Sequence, residues 1–220
     1  MIIGVCGLIG SGKDTIADYL IDTYQFRKES FANSLKDAVS SVFGWDRTML
    51  EGRTKSAREW REQADTWWAE RLQMPGLTPR WVLQHWGTEL CRNNFHNDIW
   101  IASLENKLSN SKANIVISDC RFPNEINSIK NAGGIIIHVK RGPDPDWYQD
   151  AVDMNVGDHH INWMLAKTRM SKLNIHASET AWIGTKFDAI VDNSSTMENL
   201  FSQINDLVQD HLATKVNPLF

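Results

Sequence analysis

A five-residue apolar run, Ile2 to Cys6, leads straight into Gly7-Leu8-Ile9-Gly10-Ser11-Gly12-Lys13-Asp14-Thr15, and a helical pattern begins at once. This order constrains the chain more than any other feature. The run has the length and composition of a buried strand. Glycines at 7, 10 and 12 let the following backbone turn tightly, so that successive N–H groups converge. The helix then adds its positive end to that nest, and Lys13 brings a mobile charge for outer phosphates. Strand, glycine loop, lysine and helix together form a phosphate cradle, which implies a nucleoside triphosphate ligand. Residues Gly10, Ser11, Gly12, Lys13, Asp14 and Thr15 are its candidate binding set.

One position departs from the usual pattern. A Ser or Thr normally follows the lysine and helps hold Mg²⁺. Asp14 stands there instead, with Thr15 next. Either Thr15 helps to hold the metal, or the metal is held mainly through water and phosphates. A glycine-rich turn without a ligand is the bland alternative.

The remaining sequence extends the same architecture. Apolar runs at Ile115–Ser118, Ile135–Val139 and Ala189–Val191 do not alternate, so they are expected as parallel strands covered on both faces. A further strand is expected near Lys28–Phe31. Helices are expected over Asp14–Tyr24, from Thr78-Pro79 onward, from Pro123 to the stop at Gly133-Gly134, and from about Thr196. The predicted fold class is therefore α/β: a parallel sheet of about five strands flanked by helices. Two excursions interrupt it, a helical, tryptophan-rich one over 34–100 and another over 142–187 that mixes turn residues, histidines and basic residues. Trp60, Trp67, Trp68 and Trp86 read as helix packing, with walls of a base pocket as the alternative.

Composition narrows the function classes. The 220 residues suit one α/β domain with insertions, or at most two small domains, with ten tryptophans available to a large core. A net charge of −4 provides no global basic field, so stable nucleic-acid binding is not expected. Cys6, Cys91 and Cys120 are scattered without metal spacing and read as packed thiols of a reducing cytoplasm. No targeting segment is expected ahead of the first strand, and no apolar run reaches the ~20 residues of a membrane span. Cytoplasmic localisation follows as the expectation.

Two further segments carry chemistry. Asp119 ends a buried strand, where α/β sheets bind ligands, and is placed to position Mg²⁺ or its waters, or to take a proton from an attacking phosphate. Arg121 is suited to bidentate contact with a substrate phosphate. The bland reading makes Asp119 a turn cap and pairs Arg121 with Glu125. In Gln84–Arg92, Gly87 breaks a helical pattern and Thr88, Glu89 and Arg92 follow. Thr88 and Arg92 share a face if the helix continues. Alone, that segment reads as an exposed ion-paired helix.

The ordered set resembles the phage-type deoxynucleoside monophosphate kinases, a branch of the P-loop nucleoside monophosphate kinases. It comprises Gly10–Thr15, Phe31–Ala38, Gln84–Arg92 with Trp100, Ser118–Glu125 with Gly133-Gly134, and the tail with His176–Glu179, Asp188–Asn193 and Leu200. Lys-Asp-Thr is that family's own form of the loop. The resemblance implies transfer of the γ-phosphoryl group of ATP, with Mg²⁺, to a deoxynucleoside 5′-monophosphate. It implies Lys13 on the outer phosphates, Mg²⁺ near Thr15 and Asp119, and Lys36, Arg92 and Arg121 on the monophosphate, with Thr88 or Glu89 near its sugar or base. The excursion over 142–187 resembles the family's lid, with Arg141, Lys140, Arg169 and Lys172 as cations able to close on the transferred phosphate, Arg141 favoured. Asp192-Asn193 flank the adenine or simply start the last helix. His159-His160 with His176 do not read as a metal site, and His176 and Glu179 are expected to tie the lid's end to the sheet. The implied partners are small-molecule nucleotides, with neither nucleic acid nor membrane, and the location is the host cytoplasm if the chain is phage-encoded. The oligomeric state is left open, a homodimer included. A kinase of dephospho-coenzyme A or of a nucleoside, and a P-loop switch or DNA-handling ATPase, are the rival readings.

Overall fold

The computed structural model describes residues 1–109, 111–157, 161–173 and 175–216, the last five by backbone alone. In chain order the elements are β1 (Ile2–Cys6), α1 (Lys13–Tyr24), β2 (Arg27–Glu29), α2 (Asn33–Phe43), α3 (Arg47–Glu51), α4 (Lys55–Arg61), α5 (Thr66–Arg71) and α6 (Pro79–Gln84). A π-helical segment (His85–Asn93) continues α6, and α7 (Ile99–Leu108), β3 (Ile115–Ile117), α8 (Pro123–Asn131) and β4 (Ile135–Lys140) follow. The last are α9 (Tyr148–Val156), α10 (Ile161–Met170), α11 (Ala177–Thr180), β5 (Ala189–Asp192) and α12 (Met197–Val216).

The chain forms two compact units, Met1–Glu29 with Lys112–Phe220, and Ser30–Ser111. The first carries a five-stranded sheet in the order β2-β3-β1-β4-β5, with every pairing parallel. Here β1 is central: Ile3 lies beside Val116 on one side and Ile135 on the other. That position explains why β1 shows no polar alternation, since helices cover both faces. On α1, Ile16, Ala17 and Leu20 are fully buried against Ile3, Val5 and Val139. On α12, Leu200, Ile204 and Val208 recur every four residues and close the same core. Each such aliphatic side chain contributes about 1.5–3 kcal/mol when fully buried. The expected strand near 28–31 is β2, shifted to Arg27–Glu29 because the backbone turns into the second unit at Ser30.

The second unit is held by indoles. Leu35, Val39, Trp45, Leu50, Leu77 and Val82 are buried, with Trp60, Trp68, Trp86 and Trp100 packed round them. Phe43 stacks on Trp45 with centroids 4.4 Å apart, and Trp68 meets Phe43 edge-on at 4.9 Å. Three of the ring N–H groups find acceptors: Trp45 donates to Asp65 Oδ2 (2.8 Å), Trp68 to the Phe43 carbonyl (3.0 Å) and Trp100 to the Gly87 carbonyl (2.9 Å). Packing is thus what Trp60, Trp68 and Trp86 do, whereas Trp67 is mostly exposed. Short helices succeed one another because each has its own N-cap: Asp46, Thr54, Asp65 and Thr78 accept from backbone N–H groups of the following turn.

Candidate active site

The site begins where β1 ends. Gly7 and Gly12 have φ of +155° and +103°, conformations that L side chains rarely adopt. A Cβ on Gly7 would lie 2.6 Å from Ser11 Oγ and from the Val139 carbonyl, and one on Gly12 would strike the Asn193 amide. The loop therefore closes on itself tightly, and α1 starts at Lys13 directly behind it. Lys13 Nζ lies back across the loop, donating to the carbonyls of Gly7 (2.9 Å) and Leu8 (2.8 Å). Burial, and next the charge of Arg121, hold its pKa below the ordinary lysine range, against the opposing pull of Glu179 and Asp14. A cation so placed gains by meeting an anion.

The residues fit a polyphosphate. The loop offers a glycine-lined nest, a helix N-terminus, one lysine, and a buried Ser11 hydroxyl with no hydrogen-bond partner among the described residues. They also fit Mg²⁺, which keeps several waters and needs only one or two protein groups beside the phosphates. Thr15 is half-buried in the first turn of α1, and Asp119 follows β3 in the same unit. No group of three or more His, Cys, Asp or Glu able to hold a metal occurs among the described residues. His159-His160 lie outside them. His176 Nδ1 instead accepts from the Ser178 N–H (3.2 Å), capping α11.

The last strand staples the loop. Asn193, just beyond β5, donates to the Ser11 carbonyl (2.8 Å). Asp192 accepts from the Ser194 N–H (2.8 Å), and Ser194 Oγ accepts from the Gly142 N–H (2.8 Å). A pocket of about 120 Å³ flanks the loop, between Leu8–Ser11 and His138–Pro145. Arg141 lines it, while Lys140 is paired with Asp144 (2.7 Å) and Arg169 with Asp150. His138 packs against Trp182 and Phe187, and burial, then the Lys140 charge, push its pKa down to about 4.

Arg121 is engaged through both side chain and backbone. Its guanidinium pairs with Glu179, and its backbone N–H donates to Glu125 Oε2 (2.8 Å), which also receives the Phe122 N–H (3.2 Å). Glu125 is 2% exposed and serves the start of α8, so it is a backbone cap and not the partner of the Arg121 side chain. The sequence offered Glu125 only as that partner; a Glu three residues into a proline-started helix was the cap signal. Glu179 does tie the stretch after α10 to the strand-end loop, as expected.

In the second unit, Lys36 pairs with Glu51 Oε2 (2.7 Å), and Arg47 with the same carboxylate. Arg92 is 7% exposed and reaches the Asn97 carbonyl (3.4 Å). Thr88, Glu89 and Arg92 all sit on the π-helical segment, so Gly87 does not break the helix; it lets the helix widen. A Cβ on Gly87 would lie 2.8 Å from Leu35 Cδ2. Glu89 approaches His85 (3.8 Å). Rare π-helical turns cluster at functional sites, a signal that no single residue of the segment carried. Exposed ion pairing does not describe it either, since Arg92 is buried.

The sequence model of the deoxynucleotide monophosphate kinase family matches residues 69–162. A protein of Acanthamoeba polyphaga mimivirus described as a deoxynucleotide monophosphate kinase is 31% identical, over 96% of this chain and 97% of its own. The chain belongs to the deoxynucleotide monophosphate kinase family. The deoxynucleoside-5′-monophosphate kinase of Escherichia phage T5 is 28% identical over 57% of this chain and 70% of its own. The shikimate kinase of Aquifex aeolicus aligns with 97% of this family member and 99% of itself at 12% identity, with a TM-score of 0.44. No helix among the described residues is long and apolar enough to cross a membrane.

Proposed function

We propose that the protein uses ATP to phosphorylate a deoxynucleoside 5′-monophosphate, giving ADP and the diphosphate. The lysine-bearing loop carries this reading: it is a cation and a set of N–H donors held ready for a polyphosphate. Phosphoryl transfer brings two polyanions together and spreads charge over the transferred group, so positioned donors and cations matter more than a strong base. Gly10 to Thr15 hold the triphosphate, and Lys13 leaves the Gly7 and Leu8 carbonyls for the outer phosphates. The pocket bounded by Arg141 receives the rest of the donor. Thr15 and Asp119 are the groups that would hold Mg²⁺, whose charge neutralises bridging phosphate oxygens when it is bound. Arg121 exchanges Glu179 for the phosphate of the acceptor; Lys36 and Arg92 are assigned to that phosphate as well, and Thr88 and Glu89 to sugar or base. Arg141 acts on the transferred phosphate.

ADP release with ATP, Mg²⁺ and each common deoxynucleoside and ribonucleoside monophosphate tests this, with the product identified chromatographically. A diphosphate from at least one deoxynucleotide is expected. ATP binding without phosphorylation of any monophosphate would overturn the acceptor, and DNA-stimulated hydrolysis in its place would point to an ATPase.

A further inference from the structure

Asp14 is the odd residue of the loop. It occupies the place of a neutral hydroxyl, and a carboxylate beside a triphosphate repels it. Its side chain is bound on one oxygen only: Lys28 Nζ donates to Oδ1 at 2.6 Å, and Ser118 Oγ donates to the same atom at 3.1 Å. Oδ2 has no partner among the described residues, and the carboxylate is 74% exposed. Lys28 stands on the edge strand β2, opposite Val116, and Ser118 directly follows β3. Two neighbouring strands thus deliver one cation and one hydroxyl to a single oxygen at the first turn of α1.

We propose that Lys28 is a positioning residue of the donor site: it holds Asp14 by Oδ1 and cancels its charge, which makes a carboxylate tolerable in a phosphate loop. The inference rests on reading the loop as the donor's site. It assigns Lys28 no contact with phosphate. The lysine acts through Asp14, and Ser118 fixes the rotamer in which it does so. Oδ2 stays free for the water shell of a cation. In this chain the Lys-Asp-Thr form of the loop would then depend on the cation from β2.

A mutant cycle read by calorimetry of ATP binding in EDTA decides the matter, because it needs neither turnover nor metal. Lys28→Met should weaken ATP about tenfold, the factor that corresponds to one uncompensated charge. Asp14→Asn in that background should restore affinity to within about threefold of the unaltered protein, and Lys28→Arg should retain it. Should Lys28→Met fail to fold, Lys28→Gln serves in the same cycle, with melting temperatures recorded for each variant. A double variant as weak as Lys28→Met would overturn the proposal in favour of direct phosphate contact or a purely structural role, as would unchanged affinity in Lys28→Met. Failure of the kinase reading is separable: no diphosphate product with the cycle intact removes the acceptor but leaves Lys28 and Asp14 coupled.

Discussion

The two units are built on different kinds of information. The sheet unit is organised by signals that lie close together in the chain: aliphatic runs, a glycine loop, a proline at the start of α8. The helical unit has seven tryptophans at positions 45–100, and what orders it is how their rings and N–H groups meet. In the first, chemistry is placed by backbone geometry. In the second, side-chain packing places the backbone, to the point of opening a helix to π form at Gly87. Neighbouring residues suffice to read the one and not the other.

Removing Lys13 is the sharpest challenge to the sheet unit's role. Lys13→Ala should lower turnover roughly a thousandfold, while melting shifts little, because the two carbonyls it leaves are loop carbonyls at the site's mouth. Near-normal turnover would break the assignment. For the helical unit the corresponding cut is Leu50→Ala, at a fully buried position. It should cost about 3 kcal/mol, and hydrogen exchange should show amides of 30–111 losing protection before those of the strands. Equal loss everywhere would mean that the two units melt as one body.

Arg121→Ala should cost roughly a hundredfold in kcat/KM for the monophosphate, with ATP affinity nearly intact. A loss confined to ATP would exchange the roles given to the two substrates. The smallest effect is a pH window. Folded His138 resists protonation until about pH 4, whereas its unfolded counterpart takes a proton near 6.5. The unfolded chain therefore binds the extra proton in between, so stability is full above about 6.5 and falls on acidification toward 4. Urea melts across that range should show the slope, and His138→Phe should flatten it.

Most of the sheet unit was legible in the sequence. All five strands, α1, α8 and α12 lie where apolar runs, caps and glycines put them, β2 being displaced by a residue or two. The phosphate loop was legible because its glycines and lysine work within nine residues of one another. What was not legible depends on partners far along the chain. Lys36 and Arg121, read as partners of a substrate phosphate, are held by Glu51 and Glu179, fifteen and fifty-eight residues away. The same holds for Lys28, noticed only as part of a strand, whose tie to Asp14 exists only once β2 is laid beside β3. Gly87 was read as a break in a helical pattern because nothing in Gln84–Arg92 announces that Leu35 requires a bare backbone there.

The bond from Asn193 to the Ser11 carbonyl spans 182 positions. The strand that feeds the loop, β1, is likewise flanked only by strands that begin at Ile115 and Ile135. During synthesis the glycine loop leaves the ribosome well ahead of β3, β4 and β5, and it waits for them before its neighbours exist. A product truncated ahead of residue 189 would carry the motif without β5 and the Asn193 amide that closes on it.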